Sequence, residues 1–255
     1  MPVTVRWFGP DGTSGTSDDV VYNRTTDSSG LYLATNLPAG NFSVIVTTTG
    51  TLATLGLTTQ TYDASGGLDS RSDLTLAAGA TNLNQDFGYR GGASLGDFVW
   101  FDIDGDGVQD PGEPGLGGVK VTAVWLGPDG VAGGGDDQTF TTTTNSSGGY
   151  TIGNLPAGNY TVTVDDTTLP NGITTPTYDL NGIGTPHTTT TTLTTNQNRT
   201  DVDFGYRGSG SIGDTIFLDA DNNGVPGAGE GLVGVGVTVR WCGVNGTCGD
   251  ADDVL

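Results

Sequence analysis

The sequence predicts an all-β protein built from tandem β-sandwich modules, and three observations carry that expectation. Blocks of sequence recur at one spacing: Asp86-Phe87-Gly88-Tyr89-Arg90-Gly91 returns as Asp203-Phe204-Gly205-Tyr206-Arg207-Gly208, and repetition at such a period marks modular architecture. Short apolar runs alternate with Thr at period two, the pattern of half-buried strands. The 45 glycines in 255 residues, together with abundant Thr, oppose helix.

Taken in order, the repeats divide the chain into three. Residues 1–90 read as a module lacking its first strand and the loop after it. Residues 91–207 read as one complete module, and 208–255 as the first strands and loop of a third. Asn36 to Asn41 returns as Asn154 to Asn159, and Val3-Thr4-Val5-Arg6-Trp7 returns at Val121 to Trp125 and at Val237 to Trp241. The link from Arg90 to Leu95 is short, so adjacent modules cannot swing far apart. Within the complete module, strands are expected at Leu95–Phe101, Val119–Trp125, Gln138–Thr144, Tyr150–Gly153, Asn159–Asp165, Thr188–Thr194 and Asp201–Tyr206. Tyr160, Val162 and Val164 should point inward, as should Val121, Ala123 and Trp125. Asn145-Ser146-Ser147-Gly148 and Pro156-Ala157-Gly158 supply turn chemistry.

Charge narrows the function. Against 29 Asp plus Glu stand 8 Lys plus Arg, a formal net charge of −21. Nucleic-acid binding is excluded, because phosphates demand cationic side chains. Either the carboxylates serve solubility or many of them ligate a hard cation. No run approaches the roughly 20 apolar residues of a membrane span, and Met1-Pro2-Val3 opens directly into a strand-like run rather than a signal segment.

Spacing favours the cation. From Asp102, acidic residues fall at positions 1, 3, 5, 9 and 12 as Asp102, Asp104, Asp106, Asp110 and Glu113, with Gly107 at position 6. This is the order of a twelve-residue calcium loop, in which alternate carboxylates and the Val108 carbonyl converge and Glu113 closes bidentately. The third module repeats it with Asp219, Asp221, Asn223, the Val225 carbonyl and Glu230, and has Gly227 at position 9. Neither loop is flanked by helices, so a structural clamp is expected rather than a helix–loop–helix sensor. A second acidic group recurs in Gly-rich hairpins: Asp11, Asp18 and Asp19; Asp129, Asp136 and Asp137; Asp250, Asp252 and Asp253. Clustered carboxylates repel unless a cation joins them, so another calcium site is expected there, with a solvated loop as the alternative.

Gly96-Asp97-Phe98-Val99-Trp100 ahead of the Asp102 loop, Leu155-Pro156-Ala157-Gly158-Asn159-Tyr160 and Asp203-Phe204-Gly205-Tyr206 resemble the signature of the B domains of serine-aspartate-repeat surface adhesins. The resemblance covers essentially the whole chain. It implies an Ig-like, prealbumin-type sandwich that binds several Ca2+ ions and serves as a rigid extracellular or cell-surface stalk. Related collagen-adhesin B domains carry a Lys–Asn isopeptide bond. Here Lys120 is the only lysine, with Pro2 and Gly236 at the matching positions, so no such bond is expected.

Other signals are weaker. Cys242 and Cys248 read as a disulfide pinning the third module's hairpin, with free thiols or intermolecular pairing as alternatives. Asn-X-Ser/Thr triplets begin at Asn23, Asn41, Asn145, Asn159, Asn198 and Asn245, as a Thr-rich chain produces by chance. His187 stands alone, and no nucleophile, phosphate-binding or redox motif is present, so no enzyme is expected. A ligand-binding adhesin region and a carbohydrate-binding module are the competing readings. The latter would want exposed aromatics, whereas Trp7, Trp125 and Trp241 fall in an inward register. Partners are expected to be adjacent repeats or copies of the chain. The partial end modules suggest either a window on a longer periodic protein or head-to-tail assembly, Gly210–Gly231 of one copy completing the first module of the next.

Overall fold

The computed structural model describes residues 1–243, 245–249, 253 and 254. Strands dominate. The first module contains β1 (Pro2–Trp7), β2 (Val20–Thr25), β3 (Gly40–Val46), a single helical turn α1 (Thr51–Thr54), β4 (Thr59–Asp63), β5 (Arg71–Leu76) and β6 (Phe87–Arg90). The middle module contains β7 (Ala93–Gly96), β8 (Val99–Phe101), β9 (Lys120–Trp125), β10 (Gln138–Thr143), β11 (Ile152–Leu155) and β12 (Gly158–Val164). It continues with β13 (Ile173–Asp179), β14 (Thr188–Leu193), β15 (Asn198–Thr200) and β16 (Phe204–Gly208).

Alternation sets the middle module's core. On β9 and β12, Val121, Ala123 and Val162 are fully buried and Tyr160 nearly so, while Thr161 and Thr163 lie half-exposed. A four-stranded antiparallel sheet in the order β10-β9-β12-β14 presents this face to two three-stranded sheets, β11-β7-β15 and β13-β16-β8. Between them lie Leu95, Val99, Leu116, Leu155, Phe204 and Tyr206, all at most 1% exposed. Burying each such side chain contributes about 1.5–3 kcal/mol. The middle module is therefore a β-sandwich.

The segment expected as one strand, Leu95–Phe101, changes sheet midway. At the break, the Phe98 amide donates to Asp203 Oδ1 at 2.8 Å and the Tyr150 amide to the Asp97 carbonyl at 2.8 Å. Both halves run parallel to their late neighbours, β7 beside β15 and β8 beside β16. Two strands went unforeseen. Pro176 interrupts β13, whose pairing with β16 shifts register twice, and β15 is three polar residues long.

The first module repeats the four-stranded sheet as β2-β1-β3-β5, but only β4-β6 faces it. Its joint to the middle module is close-fitted. The Ala157 amide donates to the Leu55 carbonyl at 2.7 Å, and Arg90 bonds Asn154. Gly91 passes so near the middle module that a Cβ there would lie 1.9 Å from the Leu155 carbonyl oxygen.

In the third region, the strand expected at Val237–Trp241 does not form. Val233 and Val237 are 100% and 69% exposed, and the described residues make only isolated bridges, Phe217 to Gly231 and Trp241 to Val254. A strand needs a paired neighbour, and none is there for these residues. Trp241 packs instead edge-on against Phe101, ring centroids 4.8 Å apart, rather than inward in a sheet of its own.

Candidate metal centre

Asp102 follows directly on β8 and is wholly buried. Its Oδ1 accepts the Gly105 amide at 2.7 Å and its Oδ2 the Gly107 amide at 2.9 Å. Asp104 accepts the Asp106 amide at 3.2 Å, and Asp106 the Val108 amide at 2.7 Å. These side-chain-to-backbone bonds curl the loop, and Gly107, at φ 78°, supplies the left-handed turn. As a result, one oxygen from each of Asp102, Asp104 and Asp106 lies within 4.8 Å of the others. Burial alone would raise the Asp102 pKa, but the neighbouring Thr177 hydroxyl and the amides of Gly107, Gly105 and Asp106 outweigh it and lower the value. Asp102 is thus held ionised.

Glu113 folds back across the loop, its Oε1 accepting the Ile103 amide at 2.7 Å and its Oε2 the Asp110 amide at 3.0 Å. Asp110 and Val108 therefore meet the loop through their amides, and neither the Asp110 nor the Glu113 carboxylate joins the converging three.

The second loop is wired almost alike, with the first aspartate reaching the fifth and sixth amides of the loop rather than the fourth and sixth. Asp219 accepts the Asn223 and Gly224 amides at 2.9 and 3.0 Å, and the Val225 amide donates to Asn223 Oδ1 at 2.7 Å. Here the converging oxygens belong to Asp219, Asp221 and Glu230. Glu230 again closes the loop, onto the Ala220 amide at 3.1 Å and the Gly227 amide at 2.7 Å. Among the described residues, no carboxylate of either loop forms an ion pair. Acceptor-only oxygens gathered without a countercharge suit a hard cation.

In the hairpins, Asp11, Asp18 and Asp19 gather between β1 and β2, and Asp129, Asp136 and Asp137 between β9 and β10. Neither trio closes to the mutual distance reached in the loops. The Thr16 hydroxyl, donating to Asp18 at 2.6 Å, lowers the Asp18 pKa, with backbone amides adding to it against partial burial. Asp253 lies beside Arg240, whereas Asp250 and Asp252 lie outside the described residues. Cys242 and Cys248 are joined, their Cα atoms 4.4 Å apart.

Two buried carboxylates escaped the sequence reading. Asp179, at the end of β13, is 3% exposed, and burial pushes its pKa up. Its Oδ1 accepts the Asn181 amide at 2.9 Å while its Oδ2 has no partner. Asp63 holds the same place in the first module, gathering the Gly67 and Leu68 amides at 3.1 and 2.5 Å. The recurrence of Thr61-Tyr62-Asp63 as Thr177-Tyr178-Asp179 was the available signal. His187 stacks on Tyr206 with its Nδ1 3.2 Å from the tyrosine hydroxyl, a packing contact.

Comparison with known proteins follows the same lines. The chain is 32% identical over 236 residues to serine-aspartate repeat-containing protein F of Staphylococcus epidermidis, covering 87% of this chain and 12% of that protein. It is 31% identical over 234 residues to serine-aspartate repeat-containing protein D of Staphylococcus aureus strain Newman, covering 87% of this chain and 16% of that one. It thus spans less than a fifth of the length of these relatives. Among solved structures, the Bacillus anthracis TIE protein overlays with a TM-score of 0.36 at 18% identity, over 81% of this chain and 31% of that one. The family description that matches residues 93–206, from β7 into β16, is the SdrD B-like domain, and the middle module belongs to that family.

Proposed function

We propose that this chain is a segment of an extracellular, calcium-stiffened stalk or fibre at a cell surface, built of tandem β-sandwich repeats and without catalytic activity. The observation that carries the reading is the pair of matched loops, each bringing three acidic oxygens within 4.8 Å of one another with no ion-pair partner among the described residues. Asp102, Asp104 and Asp106 would hold one calcium ion, with the Val108 carbonyl and Glu113 as further donors and Asp110 beyond them. Asp219, Asp221, Asn223, Val225 and Glu230 would hold another. Bound calcium replaces mutual repulsion with ligand bonds and orders the module end where the next module begins.

The partners are neighbouring repeats. Head-to-tail assembly is the finer part of the proposal. β6 pairs only with β4, whereas its counterpart β16 also carries β8. Ser211 to Leu218 repeats β7 and β8 in sequence but lies unpaired apart from one bridge at Phe217, with Ile212 and Leu218 85% and 61% exposed.

Calorimetric melting in millimolar calcium and in EDTA tests the clamp. The chelator should lower the melting temperature, and Asp102→Ala with Glu113→Ala should lower it in calcium too. Identical melting in both buffers would refute the calcium reading. Light scattering of the chain and of a variant ending at Gly208 tests assembly: a mass that grows with concentration only in the longer form is expected.

A further inference from the structure

We propose that Asn171 and Gly172 form a self-modifying site, at which the folded middle module singles out one asparagine for deamidation, through a succinimide, to aspartate and isoaspartate. The inference is independent of the acidic loops and of the stalk reading.

A glycine after asparagine leaves the attacking amide nitrogen unhindered, because no Cβ stands beside it. The sequence holds four such pairs, beginning at Asn171, Asn181, Asn223 and Asn245, so the dipeptide alone ranks none above the others. Reaction requires the glycine nitrogen to turn onto the asparagine carboxamide carbon. Hydrogen bonds that hold either group oppose that turn.

Three of the pairs are held. Asn181 Oδ1 accepts from the Thr189 hydroxyl at 2.6 Å and from the Thr190 amide and hydroxyl at 2.5 and 3.1 Å. The Gly182 amide donates to the Asp179 carbonyl at 3.0 Å. Asn223 is fixed at both ends, its Oδ1 accepting the Val225 amide at 2.7 Å and its Nδ2 donating to Asp221 at 2.8 Å. The Gly224 amide donates to Asp219 at 3.0 Å. Asn245 Oδ1 accepts the Thr247 amide at 2.6 Å, and the Gly246 amide donates to the Gly243 carbonyl at 3.4 Å.

Asn171 differs on both counts. Among the described residues, neither its carboxamide nor the Gly172 amide has a hydrogen-bond partner. Both residues are exposed, and the space where a Cβ of Gly172 would stand is open. The pair forms the centre of a turn closed by the Ile173 amide on the Pro170 carbonyl at 3.0 Å, with Gly172 at φ 83° where the turn demands it.

The chemistry needs only water. The Gly172 nitrogen loses its proton and bonds to the Asn171 carboxamide carbon, the bond from that carbon to the side-chain nitrogen breaks, and ammonia carries the proton away. Water then opens the ring at either carbonyl, giving aspartate or isoaspartate. Isoaspartate routes the main chain through the side chain and so lengthens the backbone between Pro170 and Ile173 by one atom. Ile173 is 5% exposed, anchors β13 in the core and pairs with Gly208 at the end of β16. A longer turn therefore disturbs the first rung of that pairing. The corresponding corner of the first module is Leu55-Gly56, which lacks the carboxamide and is docked, its Leu55 carbonyl on the Ala157 amide at 2.7 Å.

The full chain, kept in mildly alkaline buffer and sampled over weeks, tests this by peptic digestion, chromatography and mass spectrometry. Asn171 should deamidate about tenfold faster than Asn181, Asn223 and Asn245, a barrier difference of about 1.4 kcal/mol. In concentrated urea the four rates should converge. Equal rates in the folded chain would overturn the proposal, and so would a ranking that survives urea. Aged chain should also melt below fresh Asn171→Asp, which carries the new charge without the added backbone atom. Equal melting would overturn the effect on β13.

Discussion

The first and middle modules repeat one sequence pattern, yet they bury very different cores. Their four-stranded sheets coincide in register: Trp7 faces Val20 and Phe42 as Trp125 faces Gln138 and Tyr160. The opposite layers diverge. With β7 and β8 in place, the middle module encloses twenty buried residues in one cluster, while the first encloses four. Leu31, Leu33 and Leu83, on segments that would meet such strands, are 68%, 57% and 68% exposed. The paired sheet is specified by its own local alternation, whereas the core depends on a single added lane.

Chelation should widen this contrast most. A site held at a hundred times its Kd stabilises by about 2.7 kcal/mol. Hydrogen exchange with and without EDTA should therefore show the loss in β8 and β16, with β1 and β3 little changed. Core truncation comes next. Leu155→Ala, at a fully buried position, should cost about 3–4 kcal/mol in urea unfolding, and Leu37→Ala, at the half-buried equivalent, about half as much. Equal costs would contradict the account of the two cores.

A tyrosine pair gives a smaller effect. The hydroxyl of Tyr150 donates to the Val202 carbonyl within the core, and that of Tyr32 to the Gln85 carbonyl at 2.5 Å in a partly open setting. Burial raises both pKa values, that of Tyr32 to about 12 with help from Asp86. Tyr150→Phe should cost about 1–2 kcal/mol and Tyr32→Phe less.

The smallest effect is electrostatic. Burial, aided by the charges of Asp97 and Asp201, pushes Asp203 up from 3.8 to about 6 against the hydrogen bond from the Phe98 amide. The folded state then holds a proton that the unfolded state has released. Stability should rise as pH falls through about 6 and level off near the unfolded value of about 4. Asp203→Asn should flatten this rise and stabilise the protein at neutral pH by on the order of 1 kcal/mol, after allowance for partial solvent screening. Thermal melts between pH 4 and pH 7 in EDTA would show it.

Much of this was legible in the sequence because it rests on local periodicity. Val121, Ala123, Tyr160, Val162 and Val164 announce their buried face, and the spacing from Asp102 to Glu113 announces a curled acidic loop. What escaped depends on neighbours. Leu95 to Phe101 reads as one strand, since nothing in its apolar pattern says that Asp97 and Phe98 bond to Tyr150 and Asp203 across the module. β13 hides behind Pro176 and its register shifts. Val237 to Trp241 alternates as well as β9 does, but alternation names a face and not a partner, and among the described residues only an isolated bridge from Trp241 to Val254 pairs with it.

The parallel pairing of β8 with β16 bears on how the module carries tension. The chain enters at the start of β7 and leaves at the end of β16, and the two lanes run in the same direction with Val99 opposite Phe204 and Phe101 opposite Tyr206. A pull on the two ends therefore slides these strands lengthwise past each other. The rungs of the ladder share the load together instead of opening one at a time, as they would in a zipper pulled from its end.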